Sequence, residues 1–193
     1  LDWADKDPKK LELLAMEFAR LGLTWKVMAR KVNDAAVEVL VGRMPQAQAG
    51  GAQDLVSIAD VGIGVSQTLP VVLALIAAEP GQIVYIEQPE IHLHPRAQVM
   101  LAKSLVSAAA RNVKVVVETH SSLLIRAIQT EIALGSISND DVSLNWFSRD
   151  SVTGYSQLSV ADLDNKGRFG DWPVDFDEIS SDADMAYIQA VME

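Results

Sequence analysis

The 193-residue sequence predicts an α/β fold, a mainly parallel sheet with flanking helices plus β-hairpins. Three observations carry that expectation. From residue 66 onward, helix-length segments alternate with short apolar runs, which is the pattern of crossover units. The two clearest runs, Ile83 to Ile86 and Val113 to Val117, have the length and bounding turn signals of buried strands. Nearer the start, apolar residues alternate with others on both sides of Asn33-Asp34, as in two strands joined by a turn.

Taken in order, Asp7-Pro8 begins a helical spacing of Leu11, Leu14, Ala15, Phe18 and Leu21 that closes on Gly22. Trp25, Val27 and Ala29 form one arm of the hairpin, with Val37, Val39 and Val41 forming the other. The stretch from Gln46 to Gln53 has no apolar period and contains Gly50-Gly51, so it reads as a loop or short linker. Helices follow over Gln67–Ala78, over Pro95–Ala110 with proline in the first turn, and over Ser121–Leu134 ending at Gly135. Val142–Phe147 and Tyr155–Val160 suit a second hairpin, and a last helix is expected near Ala183–Val191. This organisation divides into an N-terminal helix and hairpin over 1–54, a core over 55–150, and a small acidic tail over 151–193.

Composition narrows the function. With no cysteine, a disulfide framework and a thiolate metal site are both excluded, and a reducing compartment such as the cytoplasm is the expected home. Apolar runs such as Leu69 to Ala78 stop near ten residues, short of the roughly 20 needed to span a bilayer, so no membrane partner is expected. The net charge of −10 is concentrated in the tail, where residues 162–193 carry two basic against nine acidic groups. Such a surface repels a phosphate backbone, so nucleic acid could be a target of a larger protein but finds no support in this chain. The opening Leu1-Asp2-Trp3, without Met or a signal pattern, suggests a piece of something longer.

Chemistry-bearing residues gather at predicted strand ends. The strand Ile83–Ile86 runs into Glu87-Gln88-Pro89-Glu90, and open α/β sheets bind ligands at that end. Glu87 and Glu90 could hold Mg²⁺ and activate a water for phosphoryl transfer, although acidic residues after a strand also merely cap turns. The second strand ends in Glu118-Thr119-His120-Ser121-Ser122, so His120 emerges on the same edge if the strands are neighbours. A histidine there can reach a γ-phosphate or a nucleophilic water, or equally serve as a helix cap or core residue. Upstream, Asp60-Val61-Gly62-Ile63-Gly64-Val65-Ser66-Gln67 precedes a helix, where exposed N–H groups and the Ser66 hydroxyl make an anion site. A plain glycine turn before a capped helix would look the same.

Taken in order, these pieces resemble the ABC-type ATPase heads of bacterial AAA-family proteins related to the OLD nucleases and, more distantly, to SMC-like repair ATPases. Asp60 to Gln67 is similar to the signature motif, Ile83 to Glu90 to the Walker B strand, Ile91-His92-Leu93-His94-Pro95 to the family's sequel, and Glu118 to Ser121 to the switch histidine. Asp171-Trp172-Pro173, after Asp164-Asn165-Lys166-Gly167, is similar to a small C-terminal domain of unknown function. The resemblance implies the C-terminal part of a P-loop NTPase fold that binds ATP and Mg²⁺ and dimerises around nucleotide. It further implies Glu87 beside Mg²⁺, Gln88 at the usual base position, His120 near the γ-phosphate, and Gly62, Gly64, Ser66 and Gln67 facing nucleotide across a homodimer interface.

Two departures from the family pattern bear on activity. Glu87-Gln88 stands where Asp-Glu is commoner, and an amide cannot accept a proton, so either Gln88 orients water or Glu90 acts as base, with slow or regulated turnover. None of the eleven glycines is followed by lysine, so the chain lacks the Walker A loop and requires a missing N-terminal half to complete the site. Two other readings compete. His92-Leu93-His94 resembles the ligand pair of a metal-dependent hydrolase, which Glu118 and His120 would complete, but Pro89 and Pro95 suggest a loop in which His94 caps a helix. A non-catalytic interaction or oligomerisation module would retain the same motifs as relics.

Overall fold

The computed structural model describes residues 7–33, 36–44, 53–170, 185 and 188–191. Helix α1 (Pro8–Arg20) begins with proline where a missing N–H leaves no bond unmade. It ends because Gly22 turns left-handed, at φ 71°. There the Gly22 N–H donates to the Ala19 carbonyl at 3.0 Å and the Leu23 N–H to the Phe18 carbonyl at 3.0 Å. The apolar stripe read from the sequence is the buried face, with Leu14, Phe18 and Leu21 in the core.

Strands β1 (Val27–Asn33) and β2 (Ala36–Gly42) pair antiparallel, with Val27 opposite Val41 and Ala29 opposite Val39. A third strand, β3 (Leu55–Ser57), adds to β2, and the sequence pattern did not anticipate it. Its three residues are too few to show a period. Tertiary contacts fix this corner: the Trp25 indole lies against Gly42 and donates to Asp54 Oδ2 at 2.9 Å, and a side chain at Gly42 would sit 2.3 Å from the indole nitrogen. Asp34 of the expected turn and residues 46–52 of the expected linker lie outside the described residues, as does Asp171-Trp172-Pro173.

Helix α2 spans Ile63–Ala77 and starts four residues before the expected Gln67. Its two early glycines read as loop formers, yet Gly62 serves as N-cap and Gly64 is helical. The Thr68 hydroxyl bonds back to the Gly64 carbonyl at 2.6 Å, and Pro70 lies within the helix. Strand β4 (Ile83–Glu87), helix α3 (Pro95–Ala110) and strand β5 (Lys114–Glu118) then form the expected crossover. The two strands pair in parallel from Ile83 opposite Lys114 to Glu87 opposite Glu118. Val84 and Ile86 are buried on one face of the pair, while Ile83, Tyr85 and Val116 are exposed on the other.

Helix α4 (Ser122–Ala133) is capped by Ser121, whose Oγ accepts from the Leu124 N–H at 3.0 Å, and stops at Gly135, at φ 74°. The second expected hairpin forms from β6 (Asn145–Arg149) and β7 (Ser156–Val160), paired antiparallel. The α/β class therefore holds, with β4–β5 as the parallel part and antiparallel strands making up the other sheets among the described residues. Of the expected last helix, residues 185 and 188–191 are described, and they are helical.

Two compact units emerge, Leu1–Ala127 and Ile128–Glu193, and the division falls inside α4. In the first, α1 packs on α2 and β1, and α2 packs on α3 and β4. Its core includes Phe18, Val41, Val72, Ile86, Leu101 and Leu124. In the second, Gly167 at φ 70° approaches the chain at Gln129, whose Nε2 donates to the Gly167 carbonyl at 2.6 Å. No helix among the described residues is long and apolar enough to cross a membrane.

Candidate functional site

The parallel register of β4 and β5 brings the two expected strand ends together in the first unit, placing Glu87 directly opposite Glu118. Both carboxylates are exposed. Tyr85, two residues before Glu87 and so on the same face, directs its hydroxyl toward Glu118 Oε2 at 3.5 Å. Desolvation at the sheet surface, then the charges and hydrogen bonds of Glu87 and Glu118, push the Tyr85 phenol above its ordinary value. A phenol here stays protonated and donates, while the carboxylates remain oxygen donors suited to a hard cation. Among the described residues no three His, Asp or Glu side chains gather in a metal-holding group. One or two carboxylates with water and phosphate completing the shell is the usual Mg²⁺ arrangement, and these strand ends fit it.

Beyond Glu87 the backbone turns sharply. The Gln88 N–H donates to the Glu118 carbonyl at 2.8 Å, extending the ladder by one step, and Gln88 itself adopts φ 43°. The Ile91 N–H returns to the Gln88 carbonyl at 3.1 Å, the Leu93 N–H to the Glu90 carbonyl at 3.0 Å, and His92 is also left-handed at φ 64°. Two left-handed non-glycine residues within five positions mark a turn held against local preference by its surroundings.

Glu90 lies inside this turn and is only 8% exposed. Its Oε1 accepts from the Thr119 hydroxyl at 2.7 Å and from the His120 N–H at 3.0 Å. Its Oε2 is buried with no hydrogen-bond partner among the described residues. Thr119 Oγ1 accepts in turn from the Ser121 N–H at 3.0 Å, and the Ser121 hydroxyl donates to Gln98 Oε1 at 2.7 Å. Gln98 closes the network by donating to the Leu93 carbonyl at 3.1 Å. His120 stands exposed two residues past the end of β5, its backbone N–H held by Glu90.

The glycine segment sits differently from the expectation. Gly64, Ser66 and Gln67 lie within the opening turns of α2 and not in a loop before it, so Ser66 does not cap the helix; its hydroxyl bonds the Ile63 carbonyl at 3.0 Å. Gly62 and Gln67 are exposed, and the helix N-terminus still presents its positive end. Gly64 is required where it stands, since a Cβ there would meet the His92 carbonyl oxygen at 2.8 Å. The opening of α2 therefore rests on the turn that follows β4. His94 caps α3, its Nδ1 accepting from the Arg96 N–H at 3.2 Å, which is the role its flanking prolines suggested and counts against a His92/His94 metal pair.

Sequence reasoning missed Gln98, one turn inside α3, because nothing in a helical glutamine signals a contact with residue 121. It also passed over Tyr85, which read as one more apolar strand residue, and the bond from Thr119 to Glu90, which spans 29 positions.

Two solved structures share the fold at low identity. One, described as structural biochemistry of ATP-driven dimerization and DNA stimulated activation of SMC ATPases, has a TM-score of 0.52 and 13% identity. That alignment covers 80% of this chain and 87% of the other. The second, an SmcHead bound to the C-winged helix domain of ScpA, has a TM-score of 0.56 and 11% identity, over 84% of this chain and 46% of the other. The chain thus spans less than half the length of that head. No curated protein matches. The sequence profile of the AAA ATPase domain matches residues 9–125, a span that contains both strand ends, the turn between β4 and α3, and the opening of α2. The chain therefore belongs to the AAA ATPase domain family, a family of nucleotide-binding ATPases.

Proposed function

We propose that this chain is the C-terminal part of an ABC-type ATPase head that binds ATP with Mg²⁺, dimerises around the nucleotide and hydrolyses it slowly or under regulation. The observation that carries the reading is the convergence of Glu87, Gln88 and His120 at the paired ends of β4 and β5. Glu87 would hold Mg²⁺, which when bound neutralises charge on the phosphate oxygens. Gln88 orients the attacking water through its amide without accepting a proton, which favours slow turnover. His120 donates toward the γ-phosphate. Gly62, Gly64, Ser66 and Gln67 at the positive end of α2 face the nucleotide held by a second copy.

No Gly-Lys pair exists in the 193 residues, so a phosphate loop supplied by a further segment completes the site. The exposed apolar residues on one face of β4–β5 support that view. Ile83 is 67% exposed, Tyr85 59% and Val116 48%, whereas parallel strands are ordinarily covered on both faces. By itself the chain is expected to be inactive.

Phosphate release from Mg²⁺-ATP by the intact protein, beside the isolated chain, tests the proposal. Turnover is expected from the intact protein only, falling about a hundredfold or more in His120→Ala and rising in Gln88→Glu, which restores a proton acceptor at the base position. Equal activity of His120→Ala and the unmodified protein would sink the role given to the histidine. No turnover under any condition would leave a nucleotide-binding or interaction module in place of an enzyme.

A further inference from the structure

We propose that Glu90 is a positioning residue: a buried carboxylate that clamps the β5–α4 turn and thereby sets where His120 stands, without serving as the proton acceptor. The consequence for hydrolysis rests on the ATPase reading above, whereas the clamp itself does not depend on it.

The carboxylate commits both of its hydrogen bonds to one place. Oε1 takes a hydroxyl from Thr119 and an N–H from His120, two successive residues, so the rotamer of the first and the peptide plane of the second are fixed together. Oε2 has no hydrogen-bond partner among the described residues, so the hydrogen bonds of this carboxylate there run to Thr119 and His120. The Thr119 hydroxyl passes the constraint on to the Ser121 N–H, and Ser121 caps α4 while bonding Gln98. Residues 119 to 121 thus hang on one buried group contributed from 29 to 30 positions earlier. His120 as a whole remains exposed, the arrangement expected when the backbone is held so that the side chain can work.

A general base needs the opposite arrangement: an accessible oxygen within reach of water. Glu90 is 8% exposed and its one bonded oxygen already accepts twice. The same turn also carries the His92 carbonyl against which Gly64 packs, so the opening of α2 and the backbone of His120 take their positions from a common segment.

Isosteric substitution separates holding from proton transfer. In Glu90→Gln the amide oxygen can replace Oε1 as acceptor, but no base remains; Glu90→Ala removes both capacities. Thr119→Val removes the hydroxyl and Thr119→Ser keeps it. In the intact protein, Glu90→Ala and Thr119→Val are expected to lower kcat about tenfold or more, with KM for Mg²⁺-ATP within about threefold. Glu90→Gln and Thr119→Ser should stay within about threefold of the unmodified kcat. The double variant Glu90→Ala with Thr119→Val should be no worse than either alone, as for two parts of one device. Hydrogen exchange of the amides at 119–122, measured without nucleotide, should accelerate in Glu90→Ala and Thr119→Val only. A kcat loss in Glu90→Gln as deep as in Glu90→Ala, or unchanged exchange in Glu90→Ala, would overturn the proposal. If the unmodified protein does not hydrolyse ATP, the ATPase reading fails and the exchange result alone decides whether Glu90 is the clamp.

Discussion

Gly64 shows how a single residue ties two motifs together. Read as sequence, Gly62 and Gly64 are equivalent members of a glycine-rich segment. In the fold, Gly62 has open space where a Cβ would stand, whereas Gly64 would drive one to 2.8 Å from the His92 carbonyl oxygen. Backbone cannot swing aside as a side chain can, so Gly64→Ala must shift α2 or the turn after β4. A loss of about 1–3 kcal/mol is expected from that overpacking, read as a lowered melting temperature by calorimetry on the intact protein. Gly62→Ser, at an N-cap position that tolerates serine, should change stability by only a few tenths of a kcal/mol. Equal effects of the two would show that the contact with His92 carries no weight. Glu90 makes the same point for polar groups: its position after a strand suggested chemistry, and only its burial and its bonds to residues 119 and 120 reveal a structural attachment.

The elements divide by how local their causes are. Helix α3 runs over the residues its sequence indicated, because proline at its start and an uninterrupted helical period are both local signals. α1 and α4 stop at glycines for an equally local reason, the left-handed conformation that closes a helix. α2 begins earlier than its glycines suggest: Gly62 serves as its N-cap, and Gly64 is helical despite a propensity cost of about 1 kcal/mol, at a place where a Cβ would meet the His92 carbonyl. The β6–β7 hairpin is secured at Asp150, whose Oδ1 accepts from the Thr153 N–H at 2.6 Å, the Thr153 hydroxyl at 2.8 Å and the Val152 N–H at 3.0 Å. The Thr153 backbone and side-chain bonds, then that from Val152, hold its carboxyl below the usual aspartate value. Such a group contributes stability that is fully present above its unfolded pKa, about 3.9, and lost as pH falls through the lower folded value. Protection of the hairpin amides at 145–160, by hydrogen exchange, should therefore be flat between pH 7 and 5 and fall below about pH 4. Asp150→Ala should show the lower protection already at pH 7. A decline centred near pH 6 would instead implicate a histidine.

At the scale of the whole molecule, the proposed dimer makes a demand that the fold alone does not. Gln67 is exposed on the opening turns of α2, so Gln67→Glu places a negative charge at the positive end of a helix. The helix itself should gain or lose no more than about 0.3–1 kcal/mol, with the sign favourable. Facing a γ-phosphate across a dimer interface, the same charge is repelled. ATP-dependent association of the intact protein, followed by sedimentation in the slow His120→Ala background, should weaken about tenfold or more while thermal stability holds. Undiminished association would place α2 away from the nucleotide.

Local signals in the sequence sufficed for the α/β class, the order of helices and strands after residue 66, the helix caps at Gly22, His94 and Gly135, and, to within one residue, the ends of the two parallel strands. Each of these follows from local periodicity or from the conformational limits of glycine and proline, which a chain expresses wherever it folds. The tertiary structure alone decided that β4 and β5 are neighbours in register, that Glu90 reaches 30 positions to the His120 backbone, that Gln98 meets Ser121, and that α2 rests on His92. Those contacts join residues far apart along the chain. Burial and hydrogen-bond satisfaction select them only once the core has closed, and no local pattern records that selection.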